Sequence, residues 1–278
     1  MTFTYNVWDN FCRDLAQQEK ISVPVCDVLD RTAKAPYLVL KHDVETDVAR
    51  ALHIAQIEHK HGHRGTYYVQ AYLLDGKENI SMLRQMQDMG HEVSYHYDVM
   101  DSCKGDLDRA MEEFAANLKR FEDNGFAIRT LCQHGNPVVE RVGYTSNRDF
   151  FRAPAVQAEY PALADVMVDL KTKADTDYLY FSDAGRRFNL IFDPIHNDVV
   201  NTDDKNIPCD TLAAVMAQVG EGDNAIISIH PHRWCASRLG YAVKTTAFKA
   251  IRFTAKLILK IPFMKKLMGR FYYLAKKI

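Results

Sequence analysis

From residue 37 onward, short apolar segments alternate with longer segments that have the spacing of amphipathic helices. The apolar segments that we predict to be strands are residues 37–42, 66–71, 92–96, 128–134 and 225–230. Further strand candidates, in a part of the sequence where the pattern is less regular, are residues 166–170, 178–182 and 190–193. The predicted helices are residues 46–61, 80–89, 106–123 and 210–219. Strands that alternate with helices of this length pair in parallel through crossover helices. A count of about seven or eight strands favours a closed or nearly closed barrel, so we predict an α/β fold with a (β/α) barrel of about seven parallel strands.

The composition agrees with a globular protein that keeps its thiols reduced. The 278 residues are 47% hydrophobic, which is enough to fill the core of a large domain. The six cysteines include no CxxC pair, so neither a disulfide framework nor a structural zinc knuckle is expected. The first residues lack the pattern of a secretion signal, and no run of about 18 apolar residues follows. We therefore expect the protein in the cytoplasm.

The C-terminal part of the sequence is strongly basic. After Asp223 it contains twelve Lys and Arg residues and no acidic residue. Within residues 249–260 and 263–278, basic and apolar side chains recur at steps of three and four, which predicts amphipathic helices with a basic face. Such helices bind anionic membrane surfaces, although two helices packed on the barrel with a solvated basic face would give the same pattern. No nucleic-acid-binding motif accompanies the charge, so no nucleic-acid partner is expected.

These patterns divide the chain into two predicted parts. Residues 1–242 form the barrel domain, which a helix at residues 5–19 caps at its N-terminus. Residues 243–278 form a basic amphipathic helical tail, and the predicted contact with an anionic membrane surface is assigned to residues 244–278.

Several predicted strands finish with a histidine at or just past their C-terminal end. These histidines are His42, His96, His134, His196 and His230. In a (β/α) barrel the C-terminal ends of the strands converge on one face, so side chains that are distant in sequence become neighbours. Imidazoles with adjacent carboxylates suit zinc, iron, cobalt or nickel, and a catalytic site keeps one position free for water. The alternative is that each histidine is an ordinary hydrogen-bonded residue at a strand end.

The segments KHDVE, GHEVSYHYDVM, FRAP and IISIHPHRW resemble the motifs of the polysaccharide deacetylase family, carbohydrate esterase family 4. The resemblance spans residues 37–234 and is stronger in the order of the motifs than in their identity. It implies a distorted (β/α) barrel that uses a divalent metal to remove acetyl groups from N-acetylated or O-acetylated sugars.

The resemblance also implies roles for residues of the first two motifs. Asp43 would be the catalytic base and Glu45 a metal ligand, although the assignment between these two stays open because Glu45 is displaced by one residue. His96 would be a metal ligand. The family has a second histidine four residues later, where this sequence has Met100. His134 is our first choice for the replacement ligand, and Asp98 is the second. Cys132 could also be a thiolate ligand, but strand alternation favours a core position for it.

The later motifs imply the remaining catalytic roles. Arg152 in the FRAP segment would pair with the catalytic base, and His230 would be the general acid that protonates the leaving group. Asp183, in the segment YLYFSDAGRRF, resembles part of a segment found before the last motif in divergent members, and its role is left open.

The resulting functional prediction is a metal-dependent hydrolase that removes an acetyl group from a sugar in bacterial surface-polysaccharide synthesis. Its reaction would cleave a C–N bond other than a peptide bond, or an ester in an O-acetylated sugar. Zinc is the first choice of metal, with cobalt, nickel and iron as alternatives, and the sugar could be lipid-linked or nucleotide-linked. Two other functions stay open: an inactive barrel that binds a saccharide or a partner protein, and an amidohydrolase that acts on a non-sugar amide.

Overall fold

The structure is a computed structural model that describes residues 2–136, 139–196 and 205–246. Its helices are α1 Tyr5–Gln17, α2 Val25–Leu29, α3 Val48–Lys60, α4 Lys77–Asp88, α5 Val99–Ser102, α6 Leu107–Asp123, α7 Asp149–Arg152, α8 Pro154–Glu159, α9 Leu170–Ala174 and α10 Leu212–Met216. Its strands are β1 Leu38–Val44, β2 Thr66–Val69, β3 Glu92–Tyr97, β4 Thr130–Gln133, β5 Ala164–Asp165, β6 Leu179–Ser182, β7 Phe188–Leu190, β8 Ile207–Cys209 and β9 Ala225–Ile229. Short 3-10 helices cover Ala71–Asp75, Ala184–Arg186 and Pro231–Arg233.

The described strands form one sheet in the order β5-β4-β3-β2-β1-β9-β6-β7-β8. The seven strands from β5 to β6 pair in parallel, and β7 and β8 extend the sheet in antiparallel pairing. The predicted α/β class and the predicted number of parallel strands are therefore confirmed. Among the described residues β5 and β8 stand at the two ends of the sheet, so strand pairing does not close the barrel.

Two of the predicted strands are wrong in their extent or direction. Residues 166–170 are not a strand, because β5 ends at Asp165 and the backbone N–H groups of Val168 and Asp169 both donate to the Asp165 carbonyl, at 3.1 and 3.0 Å. The candidate at 190–193 overlaps only the end of β7, which runs antiparallel to β6. Both are short apolar runs, for which periodicity alone does not distinguish a strand from a turn or the start of a helix.

Strand β1 is buried along its whole length, and its two faces have different surroundings. Leu40 and Val44 belong to the apolar layer between the sheet and the outer helices. Lys41 lies on the opposite, interior face, because its Nζ atom is 5.4 Å from the ring centroid of Tyr68 and 5.9 Å from that of Tyr180. Side chains alternate along a strand, so the residue two positions after Lys41 also faces the interior of the barrel.

His42 and His196 do not join the other strand-end histidines, and the expectation that all five meet is wrong for these two. Strand β1 continues two residues past His42, and side chains alternate along it, so the ring of His42 lies opposite to Lys41, on the helix side of the sheet. There the ring stacks on Tyr67, with centroids 4.2 Å apart, and its Nε2 atom is 2.9 Å from Glu58 Oε1. The side chain of His196 is 80% exposed and pairs with Asp193.

The predicted basic tail lies almost entirely outside the described residues, and the division between residues 242 and 243 stays a prediction. Residues 238–246 are helical, and Leu239 and Val243 within them are 76% and 61% exposed. Residues four apart lie on the same face of a helix, so these two apolar side chains form one exposed patch. A search of the described residues finds no helix with the length and apolar character needed to cross a membrane.

Candidate active site

The C-terminal ends of β1, β3, β4 and β9 bring two carboxylates and three imidazoles together. Asp43 lies near the end of β1 and Glu45 follows it, His96 lies near the end of β3, and His134 and His230 directly follow β4 and β9. The register of β1 with its neighbour β9 ends with His42 opposite Ile229, and directly after it Asp43 Oδ2 lies 3.9 Å from His230 Nε2. All four strands run in the same direction, so their C-terminal ends share one edge of the sheet.

Asp43 is held by a buried lysine from its own strand. The Nζ atom of Lys41 donates to Asp43 Oδ1 at 2.5 Å and to the hydroxyl of Ser228 at 3.2 Å. Burial alone would raise the pKa of the Asp43 carboxyl, but the charges of Lys41, His96 and His230 lower it to about 2. Asp43 is therefore an anion at neutral pH, with Oδ1 occupied by the lysine and Oδ2 directed toward the imidazole of His230, whose Nε2 atom is 3.9 Å away.

The predicted pairing of Arg152 with Asp43 is wrong. Arg152 contacts Asp149 at 3.1 Å and donates to the carbonyl of Ile195 at 3.0 Å. Among the described residues the cation bonded to Asp43 is Lys41. Arg152 lies at the end of the short helix α7. Lys41 is two residues before Asp43 on the same strand, so both side chains project from the same face of β1 and lie next to each other.

Glu45, His96 and His134 form a compact triangle of potential ligand atoms. The Nδ1 atom of His134 is 3.2 Å from Glu45 Oε1 and 3.3 Å from the Nε2 atom of His96. The Nδ1 atom of His96 donates its proton to the carbonyl oxygen of Cys132 at 2.9 Å, so Nε2 is the acceptor nitrogen of this ring, and it faces the Nδ1 atom of His134. Burial lowers the pKa of His96 to about 4, so its imidazole is neutral. Burial would raise the pKa of Glu45, but His134 and the neighbouring imidazoles hold it well below its usual range.

His230 is oriented by a buried carboxylate that the sequence had left without a role. Its Nδ1 atom lies 2.5 Å from Asp183 Oδ1, and its backbone N–H donates to Asp183 Oδ2 at 3.2 Å. Arg233 donates to the same carboxylate at 3.0 Å. This carboxylate fixes the ring so that Nε2 faces the site, 3.9 Å from Asp43 Oδ2 and 3.7 Å from Glu45 Oε1. The arrangement of carboxylate, imidazole and second carboxylate suits transfer of a proton through Nε2.

Comparison with known proteins gives structural matches only. No protein-family model and no curated protein matches the sequence. One similar solved structure is a family 4 carbohydrate esterase from Streptomyces lividans in complex with acetate, with 18% identity, 75% of this chain and 85% of that chain covered, and a TM-score of 0.43. Another is a family 4 pseudoenzyme from Bacillus anthracis, with 14% identity, 78% and 60% coverage and a TM-score of 0.38. A peptidoglycan deacetylase from Bdellovibrio bacteriovorus matches with 12% identity, 72% and 45% coverage and a TM-score of 0.34.

Two of these structures are named for carbohydrate esterase family 4. That is the family whose motifs the sequence resembles.

The triangle of Glu45, His96 and His134 fits a divalent metal ion in donor chemistry and in spacing. Zinc binds imidazole nitrogen and carboxylate oxygen at about 2.0 to 2.2 Å, so neighbouring ligand atoms of a tetrahedral site lie about 3.3 to 3.6 Å apart. The distances from His134 Nδ1 to Glu45 Oε1 and to His96 Nε2, 3.2 and 3.3 Å, are close to that spacing. The hydrogen bond from His96 to a backbone carbonyl is the type of contact that orients a ligating imidazole.

The other candidate ligands occupy different positions. Cys132 lies within 4.8 Å of ligand atoms of Asp43 and His96, and burial raises the pKa of its thiol, which favours the protonated form. Met100 is buried in α5. Asp98 belongs to neither group of three or more potential ligands that the described residues form.

His232 is a neighbour of the site that sequence reasoning missed. It lies in the 3-10 helix Pro231–Arg233, and its Nδ1 atom is 3.9 Å from Glu45 Oε2. Burial lowers the pKa of His232 to about 4. Its position two residues after His230 was the available signal, because the two histidines flank Pro231 directly after β9. The sequence pattern gave no means to tell which imidazole faces the carboxylates.

Proposed function

We propose that the chain is a metal-dependent hydrolase that removes an acetyl group from an acetylated sugar. The observation that supports this most strongly is that five side chains from four strand ends meet at one edge of the sheet. Glu45, His96 and His134 offer the metal ligands, and Asp43 and His230 remain as a base and an acid. Zinc is the first choice for two imidazoles with a carboxylate, and cobalt, nickel and iron are the alternatives.

The residues divide the reaction between them. A divalent cation bound there supplies Lewis acidity, which polarises an acyl oxygen and lowers the pKa of water. Asp43 accepts the proton of the attacking water, and Lys41 keeps its Oδ1 atom occupied so that Oδ2 faces the site. His230 delivers a proton from Nε2 to the leaving nitrogen or oxygen, while Asp183 fixes the ring at Nδ1. Each proton transfer contributes a factor on the order of 10² to 10⁴ to the rate.

The substrate class rests on the motif resemblance. We propose an N-acetylated sugar of bacterial surface-polysaccharide synthesis, lipid-linked or nucleotide-linked, whose C–N bond is not a peptide bond, with an O-acetylated sugar as the alternative. An amidohydrolase acting on a non-sugar amide would use the same residues, and a panel of acetylated sugars and simple acetamides distinguishes the two.

One observation favours a second candidate, an inactive barrel that binds a saccharide or a partner protein. The position four residues after His96 holds Met100, which is buried and offers only a thioether where the resembled motif has an imidazole. If His134 does not replace that imidazole as a ligand, the site holds its metal weakly. Metal content and acetate release, measured together, separate this candidate from the hydrolase.

The metal site is tested by replacing one ligand and measuring both metal and acetate. The purified protein is expected to carry a divalent metal and to release acetate from an acetylated amino sugar. His96→Ala is expected to lose both, because the triangle then has only two donor groups. Metal content is measured by mass spectrometry of the purified proteins, and acetate by an enzyme-coupled assay.

His196→Ala is the matched control, because this histidine also follows a predicted strand but its side chain is 80% exposed and outside the cluster. It should keep the metal and the activity of the parent. Full metal occupancy in His96→Ala would remove that residue from the site. Bound metal without acetate release from any acetylated sugar would favour the binding function.

We also propose that residues 244–278 bind an anionic membrane surface, which would place the enzyme on the cytoplasmic side of a membrane. Two features of the chain support this. The segment contains ten Lys and Arg residues and no acidic residue. The exposed pair Leu239 and Val243 lies just before it on the helical residues 238–246. Each basic residue near an anionic surface contributes about 1 kcal/mol of attraction, and apolar side chains on the same helix enter the interface.

Co-sedimentation with vesicles tests this membrane contact. The full chain is expected to sediment with vesicles that contain phosphatidylglycerol and to stay in solution with phosphatidylcholine alone, and raising the salt concentration should release it. A protein that ends at residue 243 should not sediment with either. Equal sedimentation of the two proteins would end the proposal.

A further inference from the structure

Gln70 occupies a position between two of the proposed metal ligands. Its backbone N–H donates to the Val44 carbonyl at 3.2 Å and its backbone is extended, with φ −69° and ψ 135°, so the pairing of β2 with β1 continues one residue past the end of β2. The paired residues of the three strands end one residue earlier, with Val69 opposite Val44 of β1 and Tyr95 of β3. One step further, Gln70 is level with Glu45 on one side and with His96 on the other.

The side chain of Gln70 belongs to the interior face of the barrel. Tyr68, two residues earlier, has its ring 5.4 Å from the Nζ atom of Lys41, inside the barrel. Tyr67 and Val69 pack instead in the layer between the sheet and the helices. Side chains alternate along an extended chain, so Gln70 points to the same side as Tyr68. Glu45 and His96 lie on that side as well, since they contact the other members of the cluster.

The carboxamide of Gln70 is buried and has no hydrogen-bond partner among the described residues. The residue is only 2% exposed, and neither Oε1 nor Nε2 is bonded. Burying an amide without partners is unfavourable, because the group gives up its bonds to water and gains none in return. Nearly all buried polar groups of native proteins have a hydrogen-bond partner, so the two unbonded amide atoms of Gln70 require an explanation.

Polar side chains deeper inside this barrel are paired, whereas the amide of Gln70, the Nε2 atom of His134 and the Nδ1 atom of His232, near the ligand triangle, have no hydrogen-bond partner among the described residues. Lys41 bonds to Asp43 and Ser228, and the hydroxyl of Tyr68 bonds to that of Thr130 at 2.8 Å. Glu92, deeper in the barrel, accepts from three groups: the hydroxyls of Thr66 and Thr130 and the backbone N–H of Cys26. The polar side chains deeper in the barrel therefore have hydrogen-bond partners, whereas the amide of Gln70, at the level of the ligand triangle, has none among the described residues.

We propose that Gln70 is a fourth protein group of the metal pocket, a positioning residue whose carboxamide supports the ion held by Glu45, His96 and His134. Its Nε2 donors suit a carboxylate, which only accepts, and its Oε1 acceptor suits the ion or the water around it. A carboxylate that binds a metal is normally hydrogen-bonded by a further group, and a neutral amide does this without adding charge beside Glu45. The inference rests on the proposed function, because it requires that the triangle binds a metal.

Gln70→Met tests the inference, since methionine has a similar length and no polar atoms. The dissociation constant for Zn²⁺ is measured by competition with a chromogenic chelator, and the unfolding of the metal-free protein is measured in urea. Zn²⁺ binding is expected to weaken about 10-fold to 100-fold. The urea midpoint of the metal-free protein should stay the same or rise, because the variant removes an unpaired buried amide. A merely structural role would lower the urea midpoint and leave Zn²⁺ affinity at the parent value.

Gln133→Met is the matched control, because Gln133 ends strand β4, two strands away from β2 in the sheet, and lies on the opposite face from Cys132. It should bind Zn²⁺ like the parent. His96→Ala separates the two proposals. If His96→Ala loses Zn²⁺ affinity while Gln70→Met keeps the parent value, the role of Gln70 is wrong and the metal site stands. If His96→Ala also keeps the parent value, the metal site is wrong and the role of Gln70 falls with it.

Discussion

Replacing Asp43 with asparagine is expected to lower the rate of acetate release by a factor on the order of 10² to 10⁴. The amide has the shape of the carboxylate but does not accept a proton from water. Asp43 lies outside the triangle of Glu45, His96 and His134, so Asp43→Asn should retain bound metal at the level of the parent. Acetate release from an N-acetylated amino sugar and metal content, measured on the same protein sample, check both halves of this expectation.

The controls for Asp43→Asn separate a chemical effect from a structural one. Asp88→Asn changes an exposed carboxylate at the end of α4 and should leave the rate unchanged. His230→Ala removes the proposed acid and should lower the rate by a similar factor while the metal stays bound. Turnover like that of the parent in Asp43→Asn would exclude Asp43 as the base and make Glu45, the next carboxylate in the cluster, the group to test.

The fold was predictable where the sequence pattern was long and regular. The segments from β1 to β4 alternate with helices α3, α4 and α6, and each of these strands and helices is found close to its predicted position. The pattern failed at residues 166–170 and 190–193, where short apolar runs carry no periodicity. The antiparallel strands β7 and β8 depend on pairing with β6 across the sheet, and such pairing has no local signature in the sequence.

The site was predictable to the extent that a residue's place follows from its strand. Asp43, His96 and His230 lie at or next to the ends of parallel strands, and that rule alone brings them to one edge. The rule does not give the face of the strand, which is why His42 was wrongly expected near them. The interior position of Lys41 could have been read from its spacing to Asp43, since residues two apart share a face. The predicted pairing of Arg152 with Asp43 was wrong because Arg152 lies on a short helix after a long loop, and the order of the strands does not determine the position of such a residue.

Gln70 and His232 mark a different limit. Nothing in the sequence says that an amide will be buried without a partner, because the hydrogen-bond partners of a side chain are known only once the strands are in register. The same holds for the contact between His232 and Glu45, which depends on the turn that follows β9.

Replacing Lys41 with methionine is expected to lower the free energy of unfolding by about 3 to 5 kcal/mol, because it leaves the Asp43 carboxylate buried without its cation. The side chains of Lys41 and Asp43 are only 1% and 10% exposed, and Nζ lies 2.5 Å from Oδ1, so water cannot replace the lost contact. The double variant Lys41→Met/Asp43→Asn contains no buried charge at this place. It should recover most of the lost stability, because a buried ion pair replaced as a whole is often close to neutral in stability, but it should not recover activity. Urea unfolding of the parent, both single variants and the double variant gives the coupling energy between the two residues.

Lys119→Met provides the matched control. Lys119 also pairs with an aspartate, at 2.7 Å from Asp123, but both side chains are more than half exposed, so the urea midpoint should not move. If Lys41→Met unfolds at the urea concentration of the parent, the lysine does not compensate Asp43, and the account of why this carboxylate stays ionised inside the barrel is wrong.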